Sequence, residues 1–343
     1  MRLVDLAQRL HLSHSTVSRA LNPDKQHLIS EKVRLEVRAL ADRFNFRPRA
    51  SVRDVASQKT NVIGVIFPTL FGSIFFNELL AKTLAGVFQV LQAHPDYQCR
   101  VLILPEDDAT HDLSPQTLAK EMDGLLISAL CAPYMKAVQF LPPRLGARWK
   151  KPVVVLNLEF GQGGGDSCVT FDNKEAVFES MGYLIKKKHR RIAFLHSDES
   201  YEEMRRRRDG YMKALREYQI PFSPSLERKG RLTDAGGFAA TIDLFRSKGG
   251  RPTAIFCVND EMAIGAMRAL EILQIRCPQD VAVMGFDGLL LGEYVRPRLT
   301  TYAQPLKEIA VKGTDLLINL IQGTAKGPQN PSVPGHLIIR DSA

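Results

Sequence analysis

The sequence predicts an all-α head followed by an α/β body made of two doubly wound parallel-sheet lobes. At 343 residues the chain is longer than one hydrophobic core usually serves, so more than one domain is expected. In the first sixty residues the apolar side chains follow helical spacing, whereas from residue 61 onward apolar β-branched runs alternate with helical patterns. Apolar strands that alternate with helices are typical of a parallel sheet covered on both faces.

Three apolar stripes in the first sixty residues predict three short helices with one small core. Ser13 and Ser30 stand where N-caps of the second and third helices would lie, so each hydroxyl is expected to accept a backbone N–H. Only a short break separates the first two helical patterns, which predicts a tight turn. The stripes are Leu3, Leu6, Ala7 and Leu10; Val17, Ala20 and Leu21; and Val33, Val37, Leu40 and Phe44.

The second predicted helix leaves one polar face free, with His14, Ser15, Ser18 and Arg19. Short donors beside an arginine suit the edges of bases in a major groove. A plain helical bundle with a polar surface is the alternative interpretation of the same pattern.

The distribution of charge favours a nucleic-acid partner for this head. The chain carries a net charge of +9, with 46 basic and 37 acidic residues. Residues 1–60 hold 12 basic against 6 acidic side chains, and the other 283 residues hold 34 against 31. The excess therefore lies mainly in the head, as in a small DNA-binding module joined to a nearly neutral domain.

Residues 48–60 predict a short helix that is marginal by itself. Pro48 can start it, and residues 50–56 can form two turns. Because helix nucleation is costly, so short a segment needs a partner to fold. An unstructured linker is the alternative.

The body contains more strand–helix units than one sheet holds, which predicts two lobes. In such folds a ligand lies beyond the carboxyl ends of the strands. The predicted strands are residues 62–67, 100–104, 125–127, 153–156, 192–195, 254–258 and 281–284, and the predicted helices include 77–91, 175–185, 207–218 and 261–273.

Aromatic, amide and carboxylate side chains cluster at these strand ends. Rings can stack on a sugar while amides and carboxylates bind its hydroxyls, so the set is suited to a polyhydroxylated ligand. Taken singly, each has a structural alternative, as a helix N-cap for the Asn and Asp residues and as core packing for the Phe residues. The set is Phe75, Phe76, Asn157, Phe171, Asp172, Asn259, Asp260 and Asp287.

The sequence lacks the motifs that are typical of membrane proteins, secreted proteins and several classes of enzyme. The longest apolar runs are too short to span a membrane, and the polar N-terminus does not resemble a secretory signal. Five separated cysteines without a CxxC pair predict neither a disulfide framework nor a zinc site. Walker, GxSxG and HExxH motifs are absent, so we predict no catalytic residue, no metal and no cofactor, and a cytoplasmic location.

The head and body motifs together resemble the LacI/GalR, or lactose-repressor, family of bacterial transcription factors. In the head the resemblance rests on residues 3–7, 12–13, 16–22 and 30–34. In the body it rests on residues 189–194, 207–211, 252–256, 259–265, 280–287 and 296–301. Departures from the family pattern are His11 and Lys188 where glycine is usual, Gly288 where a second aspartate is usual, and Val55 where a leucine enters the minor groove.

The resemblance implies a helix-turn-helix DNA-binding domain at 1–47, a hinge helix at 48–60, and a periplasmic-binding-protein-like effector and dimerisation domain at 61–343. It divides that body into a first lobe of about 61–158 and 289–318 and a second lobe of about 159–288 and 319–343. It implies DNA contacts by Ser13, His14, Ser15, Thr16, Ser18, Arg19, Asn22, Arg53 and Val55. It implies effector contacts by Phe75, Phe76, Asn157, Phe171, Arg207, Asn259 and Asp287.

We therefore expect a transcriptional repressor that binds operator DNA as a homodimer and changes its operator affinity when a sugar or related metabolite binds between the lobes. A sugar-binding protein without a DNA role would share the body but not the basic head. A DNA-associated enzyme would need a nucleophile or metal cluster at a strand end.

Overall fold

A computed structural model describes residues 3–21, 28–44, 59–68, 78–104, 121–128, 151–157, 167–197, 202–247 and 251–343. The chain divides into two units, one of residues 1–61 with 120–123 and one of residues 62–119 with 124–343. The first unit contains the helical head, and the second contains the α/β body.

The head has three helices, α1 Leu3–Arg9, α2 His14–Leu21 and α3 Glu31–Arg43. Their apolar stripes meet as predicted in one small core, whose buried members are Leu6, Ala7, Val17, Ala20 and Val37. The turn between α1 and α2 forms without glycine, because His11 itself adopts a left-handed φ of 51°.

The two predicted N-caps of the head have different outcomes. Ser13 Oγ accepts the Thr16 N–H at 3.1 Å, which confirms the first cap. The prediction for Ser30 is wrong in part: Ser30 stands at the start of α3, but its side chain makes no capping hydrogen bond. Its position marks the helix boundary, where its backbone carbonyl, and not its hydroxyl, accepts the Arg34 N–H at 3.0 Å.

In the first unit, the Asp123 carboxylate fixes the end of the segment that follows the head. Its oxygens accept hydrogen bonds from the backbone N–H groups of Thr60 and Asn61 at 2.7–3.0 Å. Asp123 directly precedes a strand of the body, so this contact joins the start of that strand to the end of the 48–60 segment.

Apolar β-branched runs form the eleven strands and amphipathic runs the longer helices among the described body residues. The strands are β1 Val62–Pro68, β2 Gln98–Leu104, β3 Gly124–Ser128, β4 Val153–Leu156, β5 Ser167–Val169, β6 Ile192–His196, β7 Glu227–Lys229, β8 Ala254–Cys257, β9 Ala282–Asp287, β10 Thr300–Ala303 and β11 His336–Ile338. The helices are α4 Glu78–Ala93, α5 Asn173–Lys186, α6 Glu202–Glu217, α7 Asp234–Arg246, α8 Asp260–Ile272, α9 Leu291–Tyr294 and α10 Leu306–Gln322.

The strands form two sheets, in the orders β2-β1-β3-β4-β5 and β11-β10-β9-β8-β6-β7. All recorded pairings are parallel except that of β10 with β11. Helices pack against both sheets, and β3, β4, β8 and β9 are buried along their length. The predicted fold class, a helical head with a two-lobed α/β body, is confirmed.

The crossings between the lobes differ in detail from the expected boundaries. The expected return of residues 289–318 to the first lobe is too early, because β10 pairs with β9 in the second sheet and only α10 packs against the first. Similarly, β5 was expected in the second lobe, but it pairs with β4 and lies at the edge of the first sheet. In each case the strand completes a parallel sheet before the chain crosses.

Candidate functional site

The outward face of α2 carries the side chains predicted to meet DNA. His14, Ser15 and Arg19 are exposed, while Val17 and Ala20 on the opposite face are buried. Ser13 Oγ lies 2.8 Å from both the Ser15 and Thr16 hydroxyls. This hydroxyl network holds the start of α2 and leaves the helix face open to a partner. Thr16 and Ser18 are half-buried, and Asn22, Arg53 and Val55 lie outside the described residues.

In the second lobe, Arg207 of α6 is the centre of a buried polar cluster at the strand ends. Only 4% of its surface is exposed. Its Nε donates to Asn173 Oδ1 at 2.9 Å, and one terminal nitrogen donates to the Val258 carbonyl oxygen. The guanidinium carbon lies 3.9 Å from the centre of the Phe286 ring, within the range of a cation–π contact. The guanidinium is therefore held by groups from several elements.

Asp287, at the carboxyl end of β9, completes this cluster. Its carboxylate lies 3.6 Å from the Arg207 guanidinium and accepts a hydrogen bond from Gln304 at 2.6 Å. Burial raises the pKa of Asp287, and Arg207 opposes that shift. Its backbone has a φ of 124°, and Gly288 follows at 70°. A side chain held in so unusual a backbone conformation is a feature of ligand sites.

A second carboxyl group, Asp260, lies fully buried at the start of α8. It accepts from the Thr301 hydroxyl at 2.6 Å and from the Leu289 N–H at 2.7 Å. Burial, reinforced by the charge of Asp287, raises the pKa of Asp260. The fold therefore disfavours the ionised forms of both carboxyl groups, Asp260 and Asp287.

The other predicted effector residues fall into three groups. Asn259 caps α8: its Oδ1 accepts from the Met262 N–H at 3.0 Å and its Nδ2 donates to the Leu232 carbonyl at 3.2 Å. The structural alternative thus accounts for the contacts of Asn259. Phe171 is buried 6.1 Å from the ring of Phe286. Phe75 and Phe76 lie outside the described residues.

Asn157 differs from the other predicted effector residues in the hydrogen bonding of its side chain. It follows β4 directly, is buried, and has a left-handed φ of 65°. Neither polar atom of its amide has a hydrogen-bond partner among the described residues. Ser128 ends the neighbouring strand β3, opposite Leu156, and its buried hydroxyl is unpartnered in the same sense. Buried polar groups without partners are rare and call for an explanation.

Sequence reasoning missed four members of these clusters: Ser128, Glu203, Gln304 and the partner role of Asn173. Glu203 is buried one helical turn before Arg207. A search of the positions i−4 and i+4 from Arg207 would have found it, because those positions share a helix face.

Two contacts connect α4 of the first lobe to the segment after β9. Lys82 Nζ donates to the Gly288 carbonyl at 2.7 Å, and the Glu78 carboxylate accepts from the Leu290 N–H at 2.9 Å. Lys82 and Glu78 also pair with each other at 2.8 Å. We call these contacts the α4 clasp.

Comparison with known proteins identifies the family. The chain is 31% identical over 350 residues to the transcriptional repressor CytR of Escherichia coli K12, covering 98% of this chain and 95% of CytR. The chain belongs to the LacI/GalR family of transcriptional regulators. The model of a periplasmic binding protein-like domain matches residues 181–343.

Two solved structures of family members agree with this fold. The Lac repressor dimer bound to operator and the anti-inducer ONPF has a TM-score of 0.83 at 24% identity, over 100% of this chain and 98% of that one. A LacI-family regulator from Enterococcus faecium with bound ribose has a TM-score of 0.69 at 25% identity, over 82% of this chain and 98% of that one.

Family membership confirms the predicted function: the chain is a DNA-binding transcriptional regulator with an effector domain, and not an enzyme. Over the described ranges, no helix is long and apolar enough to cross a membrane. The same ranges contain no group of three potential metal ligands.

Proposed function

We propose that the protein is a cytoplasmic, homodimeric repressor whose affinity for double-stranded operator DNA is set by a sugar-like effector at the strand ends of the two lobes. One observation carries the effector site. The first lobe offers a buried Asn157 amide that no described residue hydrogen-bonds, and the second offers the buried pair of Arg207 and Asp287. A ligand that bonds to both sets of groups stabilises one relative position of the lobes.

The proposed DNA surface is the outward face of α2. Arg19 contacts base edges together with His14 and Ser15, while Ser13, Thr16 and Ser18 bind phosphates or hold the helix start. Asn22, Arg53 and Val55, which lie outside the described residues, also contact the operator in this proposal, with Val55 in the minor groove. The position of Arg19, exposed in the last turn of α2, supports this role.

The effector acts through the segment between head and body. Closure of the lobes moves the strands of the first sheet, and Asp123 connects the start of β3 to the backbone of Thr60. Effector binding and operator binding are therefore coupled, and each changes the other by the same factor.

Exposed apolar side chains on the second lobe support the homodimer. Tyr294 is 70% exposed and Ile272 is 66% exposed, and Leu290 and Leu291 lie between β9 and Tyr294 with about half of their surface exposed. Leu290, Leu291 and Tyr294 are close together along the chain, and neighbouring exposed apolar side chains are typical of an interface. Two heads joined in this way bind a palindromic operator with a higher effective concentration than either head alone.

Replacing Arg19 with alanine tests the DNA surface. Fluorescence anisotropy with a fragment of the gene's own promoter should show a loss of about 1–3 kcal/mol in specific binding, because one base contact is removed. Preference for the contacted base pair should relax as well. Arg43→Ala, at the exposed end of α3, is the charge-matched control and should leave base preference intact. An unchanged base preference in Arg19→Ala would show that α2 is not the reading helix.

A further inference from the structure

Glu203 has a buried side chain that no other described residue hydrogen-bonds. It lies in the first turn of α6 with 7% of its surface exposed, and neither carboxylate oxygen has a hydrogen-bond partner in another described residue. By contrast, Arg207 and Asp287 are bonded to each other and to further groups. Within this cluster, Glu203 is the group whose bonding capacity remains unused.

The position of Glu203 directs it towards the effector site. It precedes Arg207 by four residues, so both lie on one face of α6. Side chains on a helix tilt towards its N-terminus, and the N-terminus of α6 follows the carboxyl end of β6. Glu203 therefore lies on the strand-end side of Arg207, where ligands of such sheets bind.

This arrangement costs stability in the absence of a ligand. The Glu203 carboxylate loses its hydration on burial, and its own backbone N–H and the charge of Arg207 offset this loss only in part. Burial accordingly raises the pKa of Glu203 to about 7. Costs of this kind are retained at sites where function requires them.

The surrounding charges disfavour an anionic ligand. The described cluster holds two cations, Arg207 and Lys82, and both are already paired with carboxylates, Asp287 and Glu78. Glu203 adds a further carboxyl group, whereas burial holds Asp260 in its protonated, uncharged form. A phosphate or carboxylate brought into this cluster would meet an excess of acidic groups in a poorly hydrated site.

The first lobe restricts the ligand further. Among the described residues, the Asn157 amide has an unused donor and an unused acceptor, and the Ser128 hydroxyl can act as either. An ammonium group donates only and would leave the Asn157 donor unsatisfied. Hydroxyl groups both donate and accept, and two adjacent hydroxyls can donate to the two oxygens of one carboxylate.

We propose that Glu203 is a specificity-determining residue that selects an uncharged ligand with adjacent hydroxyl groups and rejects sugar phosphates and sugar acids. This inference rests on the proposed function of the site and specifies the class of its effector.

Thermal-shift and calorimetric measurements on the full-length protein at pH 8 test the class with matched pairs of probes. D-Ribose is compared with ribose 5-phosphate, D-galactose with galacturonate, and cellobiose with cellobionate. At least one neutral sugar should raise the melting temperature, and its charged counterpart should not. The proposal is overturned if a charged member stabilises the protein more than its neutral partner, or if no neutral sugar acts.

Glu203→Gln tests the residue. Glutamine keeps the size of the side chain but replaces one acceptor with a donor, so the affinity for the neutral sugar should fall about tenfold to a hundredfold. The melting temperature of the ligand-free protein should rise, because an unpaired buried charge is removed. Glu217→Gln, at the exposed end of α6, should change neither quantity. A lower melting temperature with unchanged sugar affinity would mean that Glu203 serves the fold alone.

Operator binding measured in parallel separates the two proposals. If a sugar acid binds and alters operator affinity, the regulator mechanism stands and the ligand class is wrong. If a neutral sugar binds through Glu203 without altering operator affinity, the ligand class stands and the coupling to operator is wrong.

Discussion

The head and the second lobe place their functional groups in opposite environments. In the head, Arg19 and Ser15 lie at the surface above a core of small apolar side chains. In the second lobe, Arg207 and Asp287 are buried and hold several elements together. Function and stability can therefore be separated in the head, whereas in the second lobe the same atoms serve both.

The largest expected effect is on the second lobe. Arg207→Ala should lower its free energy of unfolding by about 3–5 kcal/mol, because Asp287 keeps a buried charge without its cation. Asn173 and the Val258 carbonyl also lose a donor. Urea denaturation followed by circular dichroism measures the loss. Arg216→Ala, exposed on the same helix, is the control. Equal losses of stability in the two variants would contradict the claim that the buried Arg207 stabilises the second lobe.

The next effect is on the core of the head. Leu6→Ala removes a fully buried side chain and should cost about 2–4 kcal/mol, which is a large part of the stability of so small a domain. Operator binding should be lost while the melting of the body stays unchanged, as separate calorimetric transitions would show. Val4→Ala alters an exposed residue of the same helix and should retain binding. A shift in the melting of the body would show that the head is not energetically separate.

The smallest effect is a dependence on pH in the second lobe. Burial raises the pKa of Asp260 above its ordinary value, so the folded protein retains a proton that the unfolded chain has lost. Stability should therefore fall as the pH rises from 6 to 8, by about 1–2 kcal/mol. Asp260→Asn should reduce this dependence, since its amide can still pair with the Thr301 hydroxyl, and Glu203, whose pKa is raised to about 7, should account for the part that remains.

Asp280→Asn is the control for this titration. Asp280 is paired with Arg276 at the surface, and that contact lowers the pKa of Asp280 to about 2, outside the range tested. The variant should keep the slope of the wild-type protein between pH 6 and 8. A wild-type stability that rises over this range would contradict the assignment of Asp260 as a buried, protonated group.

Features set by local sequence could be predicted, and features set by distant partners could not. The cap at Ser13, the cap at Asn259 and the long apolar strands follow from short patterns. The crossings were misplaced because β5 and β10 are too short to show which sheet they join. Glu203 lies in a run of charged residues that resembles a solvated helix face, and its burial depends on packing that the run does not reveal.

At two positions where the family usually has glycine, the residue type alone does not predict the turn conformation. His11 and Lys188 both adopt left-handed backbone conformations, so the turns persist although the residue type that favours them is absent. The surrounding hydrogen bonds, such as that from the Leu12 N–H to the Ala7 carbonyl at 3.0 Å, maintain the conformation in place of the residue's own preference.

In the α4 clasp, only α4 contributes side chains. Glu78 and Lys82 contribute side chains, while residues 288 and 290 contribute only main-chain groups, which nearly every amino acid supplies. A saturation survey should therefore find that positions 78 and 82 tolerate few replacements for this contact. For this contact alone, position 290 should accept any residue except proline, which lacks the N–H that donates to Glu78. Substitutions at Leu290 that weaken the proposed contact between protomers should therefore leave this contact between the lobes intact.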